Sequence, residues 1–332
     1  MSTDLPLISI AMTTYNGEKY IKEQINSLLK QTYKNIEIVI CDDKSSDSTV
    51  KIIEEFAKEF KQISFYKNEE NLGFKKNFEK SITLCKGQYV AFCDQDDFWL
   101  EDKVESLFNN LKDYDLVCSD AFVTDKNLNN LGYTLKESMK IKNIPTTKEE
   151  QIKHLIHHNF VQGASILCKK DFLLKYLPIP EYFVYHDWYF AICAALNHGI
   201  KYVDKPTLKY RQHGNNVTQD NLKSPFIKEL KPTSYNFDEI SQDSQKKIQT
   251  CNFILKNNQN SQLETYINKA IKYYQELENK TSYTITYRFK NYKYLKWDSS
   301  FIKRLLVFIK NIGGMALFKV KGTFLKKSPH SF

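Results

Sequence analysis

The feature that most constrains this chain is a rhythm at its N-terminal end. Short apolar runs of strand length alternate with stretches whose apolar residues recur at helical spacing. Residues 7–12, 36–41, 63–66 and 88–93 read as strands. Between them, Tyr20, Ile21, Ile25, Leu28 and Leu29 fall on one helical face. A helix starting near Asp47 or Ser48 carries Val50, Ile53, Phe56, Ala57 and Phe60, and a third covers 74–84. Parallel neighbours need a crossover connection, and the crossover helices cover the sheet, so a β-α-β-α-β-α-β pattern predicts an α/β fold. Ligands of such open sheets bind outside the carboxyl ends of the strands.

The residues just past those ends are therefore the first candidates. They are Thr13-Thr14-Tyr15-Asn16-Gly17 after the first strand, Asp42-Asp43-Lys44-Ser45-Ser46-Asp47 after the second, and Asp94-Gln95-Asp96-Asp97 after the fourth. Neither G-x-G-x-x-G nor G-x-x-x-x-G-K-[ST] occurs, so no glycine-rich phosphate cradle is signalled. Asp94 and Asp96, two apart on extended backbone, point the same way and offer hard oxygen ligands for Mn²⁺ or Mg²⁺, which would carry any phosphates. The blander account of both acidic runs is helix capping: 94–97 for a helix bearing Trp99, Val104 and Leu107, and 42–49 for the helix after the second strand. Asp97 is expected to cap in either case.

Past Asp113 the rhythm loosens. Residues 115–119 and 164–168 read as strands, separated by a polar loop over 124–147 suited to a lid. From about 221 the pattern is helical without strands, which places a boundary near 220: a catalytic domain over 1–220 and a helical extension over 221–332. The net charge of +9 raises the question of nucleic acid, so its location matters. From Phe301 onward stand Lys303, Arg304, Lys310, Lys319, Lys321, Lys326 and Lys327 with no acidic residue. A basic tail interleaved with Phe301, Leu305, Phe308 and Phe318 suits an anionic lipid surface better than a nucleic-acid groove, so peripheral membrane contact through 301–327 is expected and no nucleic-acid partner. With no leader-like segment and no apolar run of spanning length, the expected location is cytoplasmic, at the inner face of the membrane. Seven cysteines without a C-x-x-C pair read as buried reduced thiols.

The order and spacing of several segments resemble glycosyltransferase family 2. They are Thr13 to Gly17, Cys41-Asp42-Asp43-Lys44-Ser45-Ser46-Asp47-Ser48-Thr49, Asn71-Leu72-Gly73-Phe74, and Phe92-Cys93-Asp94-Gln95-Asp96-Asp97-Phe98-Trp99. The resemblance covers residues 5–215. It implies a GT-A type fold, a Rossmann-like nucleotide-sugar-binding mixed sheet flanked by helices, here with a C-terminal helical extension. It implies that Thr13, Tyr15, Asn16 and Asn71 line a nucleotide pocket, that Asp42 or Asp43 meets the base, that Asp94 holds ribose or metal, and that Asp96 holds metal. His186-Asp187-Trp188 matches the later acidic motif, making Asp187 the general base of an inverting transfer. Residues 210–216, Tyr-Arg-Gln-His-Gly-Asn-Asn, look like the closing motif of rhamnosyltransferase-like branches, with Arg211 at the diphosphate and His213 completing the metal shell. Gly163 is expected at the diphosphate or sugar.

The implied partners are a UDP- or dTDP-linked sugar donor and a glycan or lipid-linked glycan acceptor. A divalent cation stabilises the departing diphosphate, and a carboxylate takes the proton of the attacking hydroxyl. The chain lacks the Q-x-x-R-W motif of processive synthases, which implies one sugar per encounter. Two other readings remain at this point: a polyprenyl-phosphate sugar transferase, whose acceptor needs no base, and a non-catalytic nucleotide- or glycan-binding module.

Overall fold

The computed structural model describes residues 5–214, 237–258 and 260–278. The opening rhythm folds as β1 (Ile8–Thr14), α1 (Ile21–Leu29), β2 (Ile36–Asp42), α2 (Thr49–Glu59), β3 (Ile63–Lys67), α3 (Phe74–Leu84) and β4 (Tyr89–Cys93). These four strands lie parallel in the order β3-β2-β1-β4. Every residue of β1 is buried, as a central strand covered on both faces requires.

The chain continues through β5 (Phe98–Trp99), α4 (Lys103–Leu111), β6 (Leu116–Thr124), β7 (Asn130–Thr134), α5 (Leu135–Ser138), α6 (Lys148–Leu155), β8 (Ile166–Lys169), α7 (Lys170–Lys175), α8 (His186–Leu196) and β9 (Ile200–Arg211). The sheet extends as β4-β8-β6-β9-β5, with β7 added to β6. Strand β8 runs antiparallel to β4 and β6, β9 parallel to β6, and β5 antiparallel to β9, so the sheet is mixed.

The two-residue period of the strands divides the core. Ile8, Ile10 and Met12 of β1 face α1, α2 and α4, whereas Ala11 faces the layer built by α3, α6, α7 and α8. A helical hairpin, α9 (Phe237–Asn257) and α10 (Ser261–Glu278), joins that second layer through Cys251, Ile254, Leu263, Ile267 and Ala270. Two polar contacts fix its seat. Lys247 of α9 donates to the His157 carbonyl and lies 3.9 Å from the centre of the Trp188 ring. The His157 ring meets the hydroxyls of Tyr274 and Tyr266 of α10 at 2.7 and 2.9 Å.

Several expectations change in the second half. The polar segment 124–147 is not a plain loop: it holds β7 and α5, because Tyr133 and Leu135 are buried and Thr134 with Glu137 forms a capping box. The strand expected at 164–168 begins as a 3-10 turn over Gly163–Ser165. Trp99 lies in β5 rather than in a helix, and α4 starts at Lys103 behind Asp102. Asp97 therefore caps nothing; its Oδ1 accepts from the Arg211 backbone N–H at 3.1 Å. Strand β9 was not foreseen, since Asp204, Lys205 and Pro206 interrupt its pattern where the β6 pairing shifts register. All seven cysteines are free and buried. No helix among the described residues is long and apolar enough to cross a membrane. Residues 301–327, Asn215 and Asn216 lie outside the described residues.

Candidate active site

Strands β1 and β2 end side by side, and their loops are laced by short polar side chains. Thr14 donates to Asp42 Oδ2 at 2.8 Å, and the Ser45 backbone N–H donates to Oδ1 at 2.8 Å. The Asp42 carboxylate is wholly buried in this lacing and does not reach the cavity beyond. Asn16 also serves the lacing: its Oδ1 accepts from the Ser46 N–H and its own N–H donates to Ser45 Oγ. Asp43 points the other way, accepting from the backbone of Leu72 (2.7 Å) and Gly73 (2.8 Å) and from the Asn68 amide (2.9 Å). It thereby ties the loop after β3 to the loop after β2. Gln95 clamps Tyr15 on both sides, accepting from its N–H at 2.8 Å and donating to its carbonyl at 3.0 Å.

These loops form one wall of a cavity of about 390 Å³, the size of a small-ligand site. Thr13, Tyr15, Asp43 and Asn71 line that wall. Asp94, Asp96, Gly163 and Asp187 line the neighbouring wall, on the β4–α8 side. Of the residues singled out from the sequence, Asn16, Asp42, Arg211 and His213 stay off the lining.

The acidic wall is electrostatically tense. Burial pushes the Asp94 carboxyl up to about 7, and the charges of Asp96 and Asp187 add to the shift. Asp187, in the first turn of α8, is also pushed up to about 7 by burial, although the backbone N–H groups of Trp188 (2.6 Å) and Gly163 (3.0 Å) donate to it. Asp97 is held well above the usual carboxylate range by burial and by Asp96 and Asp94. A buried lysine stands near them. Lys103 is fully buried, lies 3.6 Å from the centre of the Trp99 ring and donates to the Ala164 carbonyl within the 3-10 turn. Burial lowers its ammonium to about 7, while the charges of Cys93, Asp97 and Asp94 work against that fall.

Strand β9 brings the last two sequence candidates to this wall. Arg211 donates from Nε to the Asp96 carbonyl and from Nη1 to the Lys126 carbonyl, both at 2.7 Å. Its Nη2 pairs with Glu23 at 2.7 Å and the guanidinium lies 4.6 Å from the Tyr20 ring centre. Arg211 thus secures the backbone of the acidic loop. His213 Nε2 is 2.8 Å from Asp96 Oδ2, and its ring stacks on Tyr20. Asp94, Asp96 and His213 offer oxygen and imidazole donors that suit a divalent cation, and the mutual repulsion of Asp94, Asp96 and Asp187 fits the same need. No cluster of three such ligands is preformed among the described residues.

The Glycosyl transferase family 2 model matches residues 9–177. The chain belongs to glycosyltransferase family 2. As a nucleotide-sugar glycosyltransferase it is 33% identical over 214 residues to an uncharacterized glycosyltransferase of Methanocaldococcus jannaschii, covering 63% of this chain and 71% of the relative. It is 30% identical over 230 residues to the dTDP-rhamnosyl transferase RfbG of Shigella flexneri, covering 64% and 74%. Among solved structures, S. aureus TarS 1-349 in complex with UDP superposes with a TM-score of 0.55 at 19% identity, over 81% of this chain and 70% of that one. The mannosyltransferase PcManGT of Pyrobaculum calidifontis, in complex with GDP-Man and Mn²⁺, gives 0.54 at 14% identity over 97% and 84%. At those identities the likeness establishes the GT-A fold.

Three residues of this glycosyltransferase's site escaped the sequence reading. Gln95 had a signal: it is the uncharged member of an acidic run, and it lines the cavity beside Asp94 and Asp96. His186 stands out in the sequence only as a neighbour of Asp187, yet it lines the cavity with both ring nitrogens buried and unpartnered among the described residues. Burial holds its imidazole neutral, lowering it to about 3. Nothing in the spacing marks Lys103, because a lysine at a helix start ordinarily faces water.

Proposed function

We propose that this glycosyltransferase is an inverting, divalent-cation-dependent enzyme. In this reading it moves a sugar, a deoxyhexose such as rhamnose, from a UDP- or dTDP-linked donor to a hydroxyl of a cell-surface glycan: capsule, lipopolysaccharide or wall polysaccharide. The observation that carries the proposal is that Asp187 and the Asp94–Asp96 pair line one cavity together with Thr13, Tyr15, Asp43 and Asn71, from the ends of β1, β2 and β3 and the loops after them. The dTDP-rhamnosyl transferase among the relatives supports the donor class, and the Mn²⁺ named with the mannosyltransferase supports the cation.

The nucleotide lies against Thr13, Tyr15, Asp43 and Asn71. Asp94, Asp96 and His213, whose Nε2 lies 2.8 Å from Asp96, would hold the cation. When bound, the cation supplies Lewis-acid stabilisation of the departing diphosphate. Arg211 keeps the acidic loop in place through the Asp96 carbonyl. Asp187 takes the acceptor hydroxyl's proton while that oxygen bonds to the anomeric carbon, whose bond to the phosphate oxygen breaks with its electron pair leaving on the diphosphate. One displacement inverts the centre. A carboxyl poised near 7 is suited to base catalysis at neutral pH. In the same proposal residues 1–220 do the chemistry and the helical extension supports them.

The test is binding and hydrolysis across a panel of UDP-, dTDP- and GDP-sugars with Mn²⁺, Mg²⁺ or EDTA. Metal-dependent selectivity for one donor, lost in Asp96→Ala, is expected. Failure to bind any donor under any metal condition sinks the proposal.

A further inference from the structure

The first turn of α8 carries Asp187, and the next residue is tied in two directions. The Trp188 backbone N–H donates to Asp187 Oδ1 at 2.6 Å, while its indole Nε1–H donates to the Leu155 carbonyl at 2.8 Å. Leu155 is the last residue of α6, and the terminal carbonyls of a helix find no donor within it. Two residues on, the His157 carbonyl accepts from the Lys247 ammonium of α9 at 2.6 Å. That same ammonium lies on the Trp188 ring, 3.9 Å from its centre. Lys247 therefore meets both partners of one bridge: the end of α6 and the side chain next to Asp187. The bridge is closed from α10, where the hydroxyls of Tyr274 and Tyr266 hold the two nitrogens of the His157 ring.

Covering the second helical layer does not call for a charge at this position. Cys251 and Ile254 of α9 already do so with apolar side chains. Lys247 is 7% exposed, and burial lowers its ammonium to about 8, with the charges of Asp243 and Cys251 working against the fall. A methionine would fill similar space without a charge to desolvate. What it could not do is donate to the end of α6 and rest as a cation on an indole face. Lys247 stays off the cavity lining, so it reaches no reacting atom. Its contacts lead instead to Trp188, and from the Trp188 N–H to the carboxylate.

We propose that Lys247 is a positioning residue for Asp187: the α9–α10 hairpin grips the end of α6 and, through Trp188, fixes the first turn of α8. The inference deepens the transferase reading and rests on it for the role of Asp187. The hairpin is then part of the working enzyme, because the aim of the base depends on a lysine outside the sheet and its covering helices.

The test uses the full chain, with water in place of the acceptor. The substrate is whichever of UDP-glucose, UDP-N-acetylglucosamine, dTDP-rhamnose and GDP-mannose the wild type hydrolyses fastest with Mn²⁺. Lys247→Met should lower kcat at least tenfold, while KM and the calorimetric affinity for the matching nucleoside diphosphate stay within twofold. Amide exchange over residues 185–192 should quicken at least tenfold, with α1 and α2 unchanged. Trp188→Phe keeps a ring beneath Lys247 and the backbone donor to Asp187 but loses the indole N–H, and it should show the same pattern. A smaller fall in kcat overturns the proposal. So does a fall accompanied by lost nucleotide affinity or by faster exchange throughout the chain, which marks a general structural role. If Lys247→Met does not fold, Trp188→Phe decides alone, and unchanged kcat and exchange there overturn the proposal. If the wild type hydrolyses no donor, the transferase reading fails, and faster exchange confined to 185–192 still upholds the bridge.

Discussion

The two walls of the cavity are both built from aspartates, yet they treat them in opposite ways. On the β1–β2 side each buried carboxylate is surrounded by donors: Asp42 by Thr14 and Ser45, Asp43 by Leu72, Gly73 and Asn68. On the β4–α8 side Asp94, Asp96, Asp97 and Asp187 crowd together, with the buried Lys103 near Asp94 and Asp97, and burial leaves three of the four reluctant to ionise. The first wall spends its charge on folding. In the proposed function the second wall keeps its crowded carboxyls for the cation and the acceptor.

That contrast can be broken at three points. The largest effect is expected from Asp187→Asn, which should slow transfer to a hydroxyl acceptor roughly a hundred- to ten-thousandfold while donor affinity changes little. Single-turnover assays read it, and retained activity would mean an acceptor already ionised, such as a polyprenyl phosphate. Next, Asp43→Ala should lower stability by about 2–4 kcal/mol, because the Leu72 and Gly73 N–H groups and the Asn68 amide lose their acceptor. Urea titration with an unchanged slope checks it.

The smallest effect has the opposite sign. Asp94→Asn should raise the melting temperature by roughly 2–5 °C at pH 8 without metal. The Asp94 carboxyl ionises near 7 in the fold against an ordinary 3.8. Stability from the neutral acid is therefore complete below about pH 3.8 and is lost as the pH rises through about 7. The gain from Asn should be absent near pH 3.8, grow to about pH 7 and level off above it. If Asp94→Asn destabilises at pH 8, the second wall is not under charge tension and the contrast collapses.

The same contrast explains what could be read in advance. The first half of the sheet was legible because each of its elements is local: an apolar run, a polar loop, a helical stripe, repeated. Asp94 and Asp96 were legible for the same reason, lying side by side at the end of β4. The second half resisted. Strand β9 is interrupted by Asp204-Lys205-Pro206, and its pairing with β6 shifts register at that point, so no clean alternation marks it. The burial of Lys103 depends on Ala164 and Trp99, and the close seating of His186 on Gly163, contacts across distant segments that no local pattern encodes. Asp42 illustrates the converse: the doublet Asp42-Asp43 looks symmetrical in sequence, but strand alternation sends one carboxylate into the lacing and the other toward the cavity.

The clamp between Gln95 and Tyr15 carries a consequence for how such chains diverge. A Cβ at position 17 would come within 2.2 Å of Gln95 Oε1, so a side chain there and the clamp exclude one another. Gly17 and Gln95, far apart along the chain, are therefore a single heritable unit. A lineage that replaces the glutamine releases the glycine, and one that fills position 17 must first give up the glutamine. Reconstructed ancestors of this branch should never combine a side chain at position 17 with the clamping glutamine at 95.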